Sequence, residues 1–217
     1  MYKKFLKRAL DAALSACGLI VMLPVFAVLS IAVFIDDPGP VFFAQKRIGK
    51  NRNGGISFFR LYKFRSMKRS TPHDTPTHLL ANPDMYITRV GRFLRRYSLD
   101  ELPQIWNILR GDMSIIGPRP ALWNQNDLYT EREKYGANDL LPGLSGWAQV
   151  NGRDELEIDA KAKLDGEYAK NVTFKMDMNC IRMTIANVLH HRGVVEGGTG
   201  SLGNRIDTCN NEVDRNT

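Results

Sequence analysis

Hydrophobic and polar positions alternate with different periods along this chain, and the periods define its elements. The longest apolar run extends from Ala12 to Ile35, 24 residues. As a straight helix it would reach about 36 Å, enough for a hydrocarbon core of roughly 30 Å. Pro24, near its middle, lacks an N–H and clashes with the carbonyl of Ile20, so a kink is expected there. Basic residues flank both ends: Lys3, Lys4, Lys7 and Arg8 before, Lys46, Arg47, Lys50 and Arg52 after. A single span concentrates basic residues on one side. Two-sided flanks around a central break describe a re-entrant hairpin of helices, and from charge and proline alone the two readings stay even. A cleaved signal peptide is excluded, because Lys7, Arg8 and Asp11 leave too little apolar chain before Cys17.

After Pro38-Gly39-Pro40 the period shortens. Val41 to Gln45 and Ile56 to Met67 are aromatic-rich and extended, and Asn51 to Gly55 supplies a turn, which predicts a β-hairpin. On the second piece Phe58, Arg60, Tyr62, Phe64 and Ser66 share one face, with Phe59, Leu61, Lys63, Arg65 and Met67 on the other. Ser70 to Asp84 reads as a mobile loop; its His73 and His78 have no third soft ligand nearby. Ile87 to Tyr97 fits a basic amphipathic helix with Val90, Phe93 and Leu94 inward. Leu102, Ile105, Trp106 and Leu109 recur at helical spacing, and Gly111 ends that run. Ala121 to Tyr135 is a polar surface helix, and Pro142 to Arg153 a glycine-punctuated loop containing the apolar piece Trp147 to Val150. Helices Glu157–Asn171 and Phe174–Arg192 follow. On the latter, Met178, Ile181, Ile185, Val188 and Leu189 read as a core face. From Gly197 the chain is polar and reads as disordered.

A chain of 217 residues makes one catalytic domain the natural count. A net charge of +7 favours an acidic partner: nucleic acid, an anionic membrane surface or a phosphate-rich substrate. Nucleic acid is disfavoured, since the chain carries no zinc-ligand spacing, RNP-type strand or helix-turn-helix pattern. Three cysteines without a C-x-x-C pair suit a reducing compartment.

Candidate chemistry concentrates in Tyr97 to Pro120. Asp100 and Glu101 are adjacent, and Ser98-x-x-Glu101 has the spacing of a capping box, the structural reading for such a motif. The basic run Arg89, Arg92, Arg95, Arg96 precedes it, and Pro118-Arg119-Pro120 follows. Lys63, among apolar neighbours, reads as a snorkelling surface residue or as a phosphate ligand, with the surface reading favoured from sequence alone.

S-L-D-E-L-P-Q, N-I-L-R-G-D-M-S-I-I-G-P-R-P and P-G-L-S-G-W-A-Q-V-N-G-R, in that order, resemble the bacterial sugar transferases called monotopic phosphoglycosyl transferases. The resemblance runs from Lys7-Arg8-x-x-Asp11 to about Gly193 and is nearest to the small members acting on UDP-diacetylbacillosamine. It implies an α+β architecture. Residues 1–36 form a re-entrant membrane anchor turning at Pro24, residues 37–196 a cytoplasmic catalytic domain of amphipathic helices with a short antiparallel element, and 197–217 a polar tail. Such enzymes carry Ser-Pro at the break, where this chain has Leu23-Pro24, so no hydroxyl satisfies the freed backbone groups.

The activity so implied moves a sugar 1-phosphate from a UDP-sugar, an acetamido sugar by this resemblance, to undecaprenyl phosphate. It takes place at the cytoplasmic face of the bacterial inner membrane and releases UMP. A carboxylate can attack a phosphoryl group and divide one displacement into two, which makes Asp100 the candidate nucleophile. Anionic substrates beside an acid pair call for a divalent cation. Mg²⁺ suits it, with Glu101 as its ligand. Arg119, set between Pro118 and Pro120, is a pre-organised phosphate fork. Lys63 (in the Y-K-F match), Arg95, Asn151 and Arg153 complete the expected substrate contacts. A non-catalytic membrane-anchored protein recruiting an anionic partner, and a transferase that would release UDP, are the alternatives.

Overall fold

The computed structural model describes residues 2–52, 54–71, 83–152 and 156–189. Arg153, His73, His78 and the polar tail from Gly197 lie outside them.

The apolar run forms one helix, α1 (Lys7–Asp36), entered through a π-helical turn at Tyr2–Leu6. It starts five residues before the apolar run, and the expected helix–break–helix is a single element that carries Pro24 inside it. A proline removes one i→i−4 bond, and the remaining bonds on either side keep the segment helical. Length and composition suffice for α1 to cross a membrane. Its contacts say more. Asp11, Ser15, Leu29 and Val33 are buried, while Leu14, Ile20, Val21, Leu23, Val28, Ile31, Phe34 and Ile35 are exposed. The buried positions fall on a narrow stripe at spacings of four residues or multiples of a turn, so α1 lies against the domain and turns an apolar face outward.

Both ends are fastened. At one, Arg8 donates to the carbonyls of Ile108 (2.6 Å) and Leu109 (2.7 Å), and Asp11 accepts from Ser114 Oγ (2.7 Å) and the Ile115 amide (3.1 Å). At the other, Asp36 accepts from the Val90 amide (2.8 Å), and Leu29 and Val33 pack with Phe64 and Leu94.

The hairpin is present as β1 (Phe42–Ile48) and β2 (Phe58–Phe64), antiparallel, pairing Phe42 with Phe64 and Ile48 with Phe58. Helix α2 (Arg89–Arg96) is capped by Thr88 Oγ1, which accepts from the Gly91 amide. It buries Gly91 and Leu94, but Phe93 is exposed and packs on Tyr97, with ring centroids 5.0 Å apart. Helix α3 (Gln104–Arg110) also departs from expectation. Its buried face is Gln104, Asn107 and Ile108, and Trp106 of the apolar set points to the surface.

Asn107 explains that rotation. It is fully buried; its Oδ1 accepts from the Tyr62 amide (3.0 Å) and its Nδ2 donates to the Arg60 carbonyl (2.7 Å). One side chain thus does for β2 what a third strand would, and satisfies two backbone groups that burial would otherwise leave unpaired.

A second, parallel pair was not expected. β3 (Ser114–Ile116) runs beside β4 (Gly143–Ser145), pairing Ser114 with Gly143 and Ile116 with Ser145. A Cβ on Gly117 or Gly143 would lie 2.3 or 2.1 Å from the facing backbone, so only glycine permits this approach. Helices α4 (Asn126–Glu133), α5 (Trp147–Val150), α6 (Ile158–Lys170) and α7 (Phe174–Leu189) complete the described fold. The mixed α+β class and the N-terminal apolar helix agree with the sequence reading.

Helix α7 buries Asp177 and Cys180, whereas Met178, Ile185 and Val188 of its supposed core stripe are exposed. Asp177 accepts from Tyr2 (2.5 Å), Lys7 (2.6 Å) and Tyr168 (2.6 Å), tying α7 to the start of α1. Burial and the Asp177 carboxylate push both tyrosine hydroxyls up, so they remain proton donors.

Candidate active site

The acid pair occupies a short 3₁₀ turn, Leu99–Glu101, between α2 and α3. Ser98 precedes it with φ 55° and ψ 22°, a left-handed conformation that is uncommon for a non-glycine residue, and its side chain makes no cap. The capping box therefore does not form: an N-cap needs extended dihedrals, and the left-handed turn redirects the hydroxyl. What the turn does is place Asp100 and Glu101 on the inner side. Asp100 is 8 % exposed.

Lys63 faces inward, not outward. The β2 face that buries Leu61 against Ile108 and Met113 carries Lys63 two residues on. Its Nζ lies 2.7 Å from Glu101 Oε1 and 3.8 Å from Asp100 Oδ2. Arg119 Nη2 also approaches Glu101 Oε1, at 3.5 Å, and the Arg119 side chain is 34 % exposed. Arg95 Nε donates to Ser66 Oγ (2.9 Å) and adds positive field at Asp100. Burial pushes the Asp100 carboxyl above the ordinary aspartate range. Lys63 pulls it down, Glu101 adds to the rise, and Arg95 and Arg119 oppose it.

The loop bearing Arg119 is held by its carbonyls. Pro118 O accepts from the Gly143 amide (2.8 Å), Arg119 O from Arg132 Nη1 (2.9 Å) and Pro120 O from Arg47 Nη1 (2.9 Å). Arg132 is in turn fixed by Asp165, with Nε and Nη2 at 2.8 and 2.6 Å from Oδ2, both side chains almost wholly buried. Three successive carbonyls, each with a donor, leave the Arg119 side chain as what the segment presents.

Of the expected residues, Asp100, Glu101, Lys63, Arg95 and Arg119 converge, with Pro118 and Pro120 buried on either side of Arg119. Asn151 does not join them: it is exposed, and its amide donates to the Trp147 carbonyl (2.8 Å) at the end of α5. Sequence reasoning missed Asn107, Arg132, Asp165 and the docking role of Asp11. Asp11 alone had a signal, as an acid at the edge of an apolar run.

Beside the acid pair opens a cavity of about 460 Å³, lined by Ser98 and Glu101 together with Ile115, Leu144, Ile181 and Ile185. Among the described residues, no group of three or more His, Cys, Asp or Glu side chains is placed to hold a metal ion. Two adjacent carboxylates are nevertheless a donor set of the kind Mg²⁺ takes, since that ion fills its shell with phosphate oxygens and water.

Residues 2–191 match a family described as bacterial sugar transferase. Over 87 % of its length the chain is 36 % identical to an uncharacterized sugar transferase, EpsL, of Bacillus subtilis (strain 168), and covers 90 % of that protein. It is 38 % identical over 84 % of its length to the UDP-glucose:undecaprenyl-phosphate glucose-1-phosphate transferase of Escherichia coli (strain K12), covering 40 % of it. It is 35 % identical over 85 % of its length to the UDP-N-acetylgalactosamine-undecaprenyl-phosphate N-acetylgalactosaminephosphotransferase of Aeromonas hydrophila, covering 44 %. The chain thus spans less than half the length of these two larger relatives.

Proposed function

This chain belongs to the bacterial sugar transferase family, and on that premise we propose that it moves a sugar 1-phosphate from a UDP-sugar to undecaprenyl phosphate. The observation that carries the proposal is a buried aspartate, Asp100, enclosed by Glu101, Lys63, Arg95 and Arg119. An Asp100 oxygen attacks the sugar-proximal phosphorus, the bond from that phosphorus to the bridging oxygen breaks, and UMP leaves. The lipid phosphate then attacks the same phosphorus, breaks its bond to Asp100 and restores the carboxylate. Lys63 and Arg119 neutralise phosphate charge beside the buried Asp100, where contacts gain strength over those in bulk water. Arg119 can offer two parallel donors to phosphate oxygens.

Glu101, with Asp100 beside it, is the residue we assign to Mg²⁺, which when bound would offset the charge on the transferred phosphoryl group.

The enzyme so proposed works at the cytoplasmic face of the inner membrane, with α1 dipping into one leaflet and bent at Pro24 so that both its ends lie on that face. Docking of both ends of α1 on one domain supports this topology, as do the basic flanks. For the donor, an acetamido sugar is the first choice. The N-acetylgalactosamine relative supports it, and the glucose relative keeps neutral hexoses in the panel.

The test is UMP release from a panel of UDP-sugars, diacetylbacillosamine, N-acetylgalactosamine, glucose and galactose included, with undecaprenyl phosphate and Mg²⁺. UMP from one donor, dependent on Asp100, is expected. Release of UDP would assign transfer of the sugar without its phosphate, and no nucleotide from any donor would favour the anionic-partner binding protein.

A further inference from the structure

From the cavity beside the acid pair we infer a binding site for the first isoprene units of the acceptor lipid, with α7 as its outer wall. The inference rests on the transfer reaction proposed above.

The cavity has two chemically different parts. Its lining includes Ser98 and Glu101, and the Glu101 carboxylate is paired with Lys63 and Arg119 just outside it. Its walls are aliphatic: Ile115, Leu144, Val150, Ile181, Ile185 and Val188. Most polar groups that border it are engaged with the protein; the exception is Gln149, whose Nε2 donates to the Leu144 carbonyl (3.2 Å) while its buried Oε1 has no partner among the described residues. Ser145 Oγ and Thr184 Oγ1 bond each other (2.6 Å), Thr184 Oγ1 also donates to the Cys180 carbonyl (2.7 Å), and Asn187 donates to the Val150 carbonyl (3.2 Å). A sugar or a uracil needs free donors and acceptors along its whole length. An allylic phosphate needs a charged end and an apolar channel, and this cavity has that division. Its volume of about 460 Å³ lies within the usual range for small-molecule sites.

Position argues for the same occupant. Asp177, in the first turn of α7, ties that end of the helix to the start of α1 through Tyr2 and Lys7, so α7 begins beside the helix long and apolar enough for a membrane. Ile185 is 54 % exposed and Val188 and Met178 are 41 % exposed. These residues belong both to the apolar stripe of α7 and, for Ile185 and Val188, to the cavity wall. An apolar wall with one face on a cavity and the other toward solvent costs stability unless lipid covers it. A chain coming from the leaflet can pass along α7 and deliver its phosphate to the Glu101 end, where Lys63 and Arg119 would meet it.

The experiment separates the two half-reactions in purified enzyme in nanodiscs. Ile185→Asp and Val188→Asp place a charge on the α7 wall of the cavity. Each should raise the KM for undecaprenyl phosphate roughly tenfold or more, the scale of losing two or so buried methylenes. The UMP burst formed from UDP-sugar without lipid should keep its amplitude. Ile185→Leu, apolar and of equal volume, should keep the wild-type KM, and the retained burst amplitude shows that the aspartate variants are folded. Wild-type enzyme should also prefer undecaprenyl phosphate to a two-isoprene analogue, and Ile185→Asp should narrow that preference. If the aspartate variants lose the burst instead, the cavity holds the nucleotide sugar and the inference is overturned. If the lipid KM and the chain-length preference both stay unchanged, no chain binds along α7. Absence of any UMP from wild type would instead strike the transfer reaction itself.

Discussion

Arg132 touches no acid of the site, yet replacing it should impair turnover as well as stability. Arg132→Met removes a guanidinium that makes two contacts to Asp165 (2.6 and 2.8 Å) and one to the Arg119 carbonyl (2.9 Å). Removing one partner of a buried pair costs about 3–5 kcal/mol because the other charge remains. With about 4 kcal/mol as the central value, Tm should fall by roughly 8–16 °C for a chain of this size. Burial already raises the Asp165 carboxyl, with Arg132 opposing the rise. Without Arg132 it rises further. A folded pKa above the unfolded one stabilises at low pH and loses that contribution as pH rises through it. The deficit should therefore be larger at pH 8 than at pH 5.

Arg132→Met with Asp165→Leu removes the orphaned charge and should regain most of the Tm. Turnover should stay down about tenfold, equivalent to about 1.4 kcal/mol in the barrier, because the Arg119 carbonyl still lacks its donor. Thermal unfolding in detergent and UMP release read the two effects. Recovery of both Tm and turnover in the double variant would show that Arg132 only neutralises Asp165.

Arg119→Lys keeps the charge and loses the fork, and turnover should fall roughly a hundredfold; near-wild-type turnover would mean Arg119 merely packs its loop. Because burial raises the Asp100 carboxyl, activity should decline as pH falls through a value above the ordinary ~3.9, protonation removing the nucleophile. Arg95→Gln, which deletes an opposing charge, should move that limb higher, and an unmoved limb would detach Asp100 from it. Cysteine labelling should find both flanks of α1 on the cytoplasmic side, and Pro24→Ala should shift α1 toward a true span. A flank reachable from outside would refute the re-entrant topology, and unchanged topology in Pro24→Ala would show that the proline is not what turns the helix.

Local pattern made the hairpin, α2, α6, α7 and the apolar helix legible, since each follows a period of 2 or 3.6. Side-chain orientation was harder to read. On α3 and α7 the apolar stripes point partly to the surface, because periodicity identifies an apolar face without saying whether protein or lipid covers it. Lys63 illustrates the converse: alternation on β2 placed it with Leu61, and only the tertiary approach of the Leu99–Glu101 turn makes that face a site. The parallel pair β3–β4 has three-residue strands, too short to announce a period. Asn107, Arg132 and Asp165 act through partners 13 to 47 residues away, a separation no local pattern encodes. The acid pair and Pro118-Arg119-Pro120 were legible as motifs, and the left-handed Ser98 that aims the acids was not.

Attack of Asp100 on phosphorus leaves a covalent adduct that can be trapped. Enzyme mixed with its UDP-sugar and Mg²⁺, without lipid acceptor, is followed by quenched-flow UMP measurement and intact-mass analysis. Expected are a burst approaching one UMP per enzyme, a mass increase equal to one sugar phosphate mapping to Asp100 and lost on hydroxylamine treatment, and neither signal in Asp100→Asn. UMP that appears only after undecaprenyl phosphate is added, with no adduct at any stage, would contradict it and leave Asp100 a spectator or a metal ligand in a direct displacement.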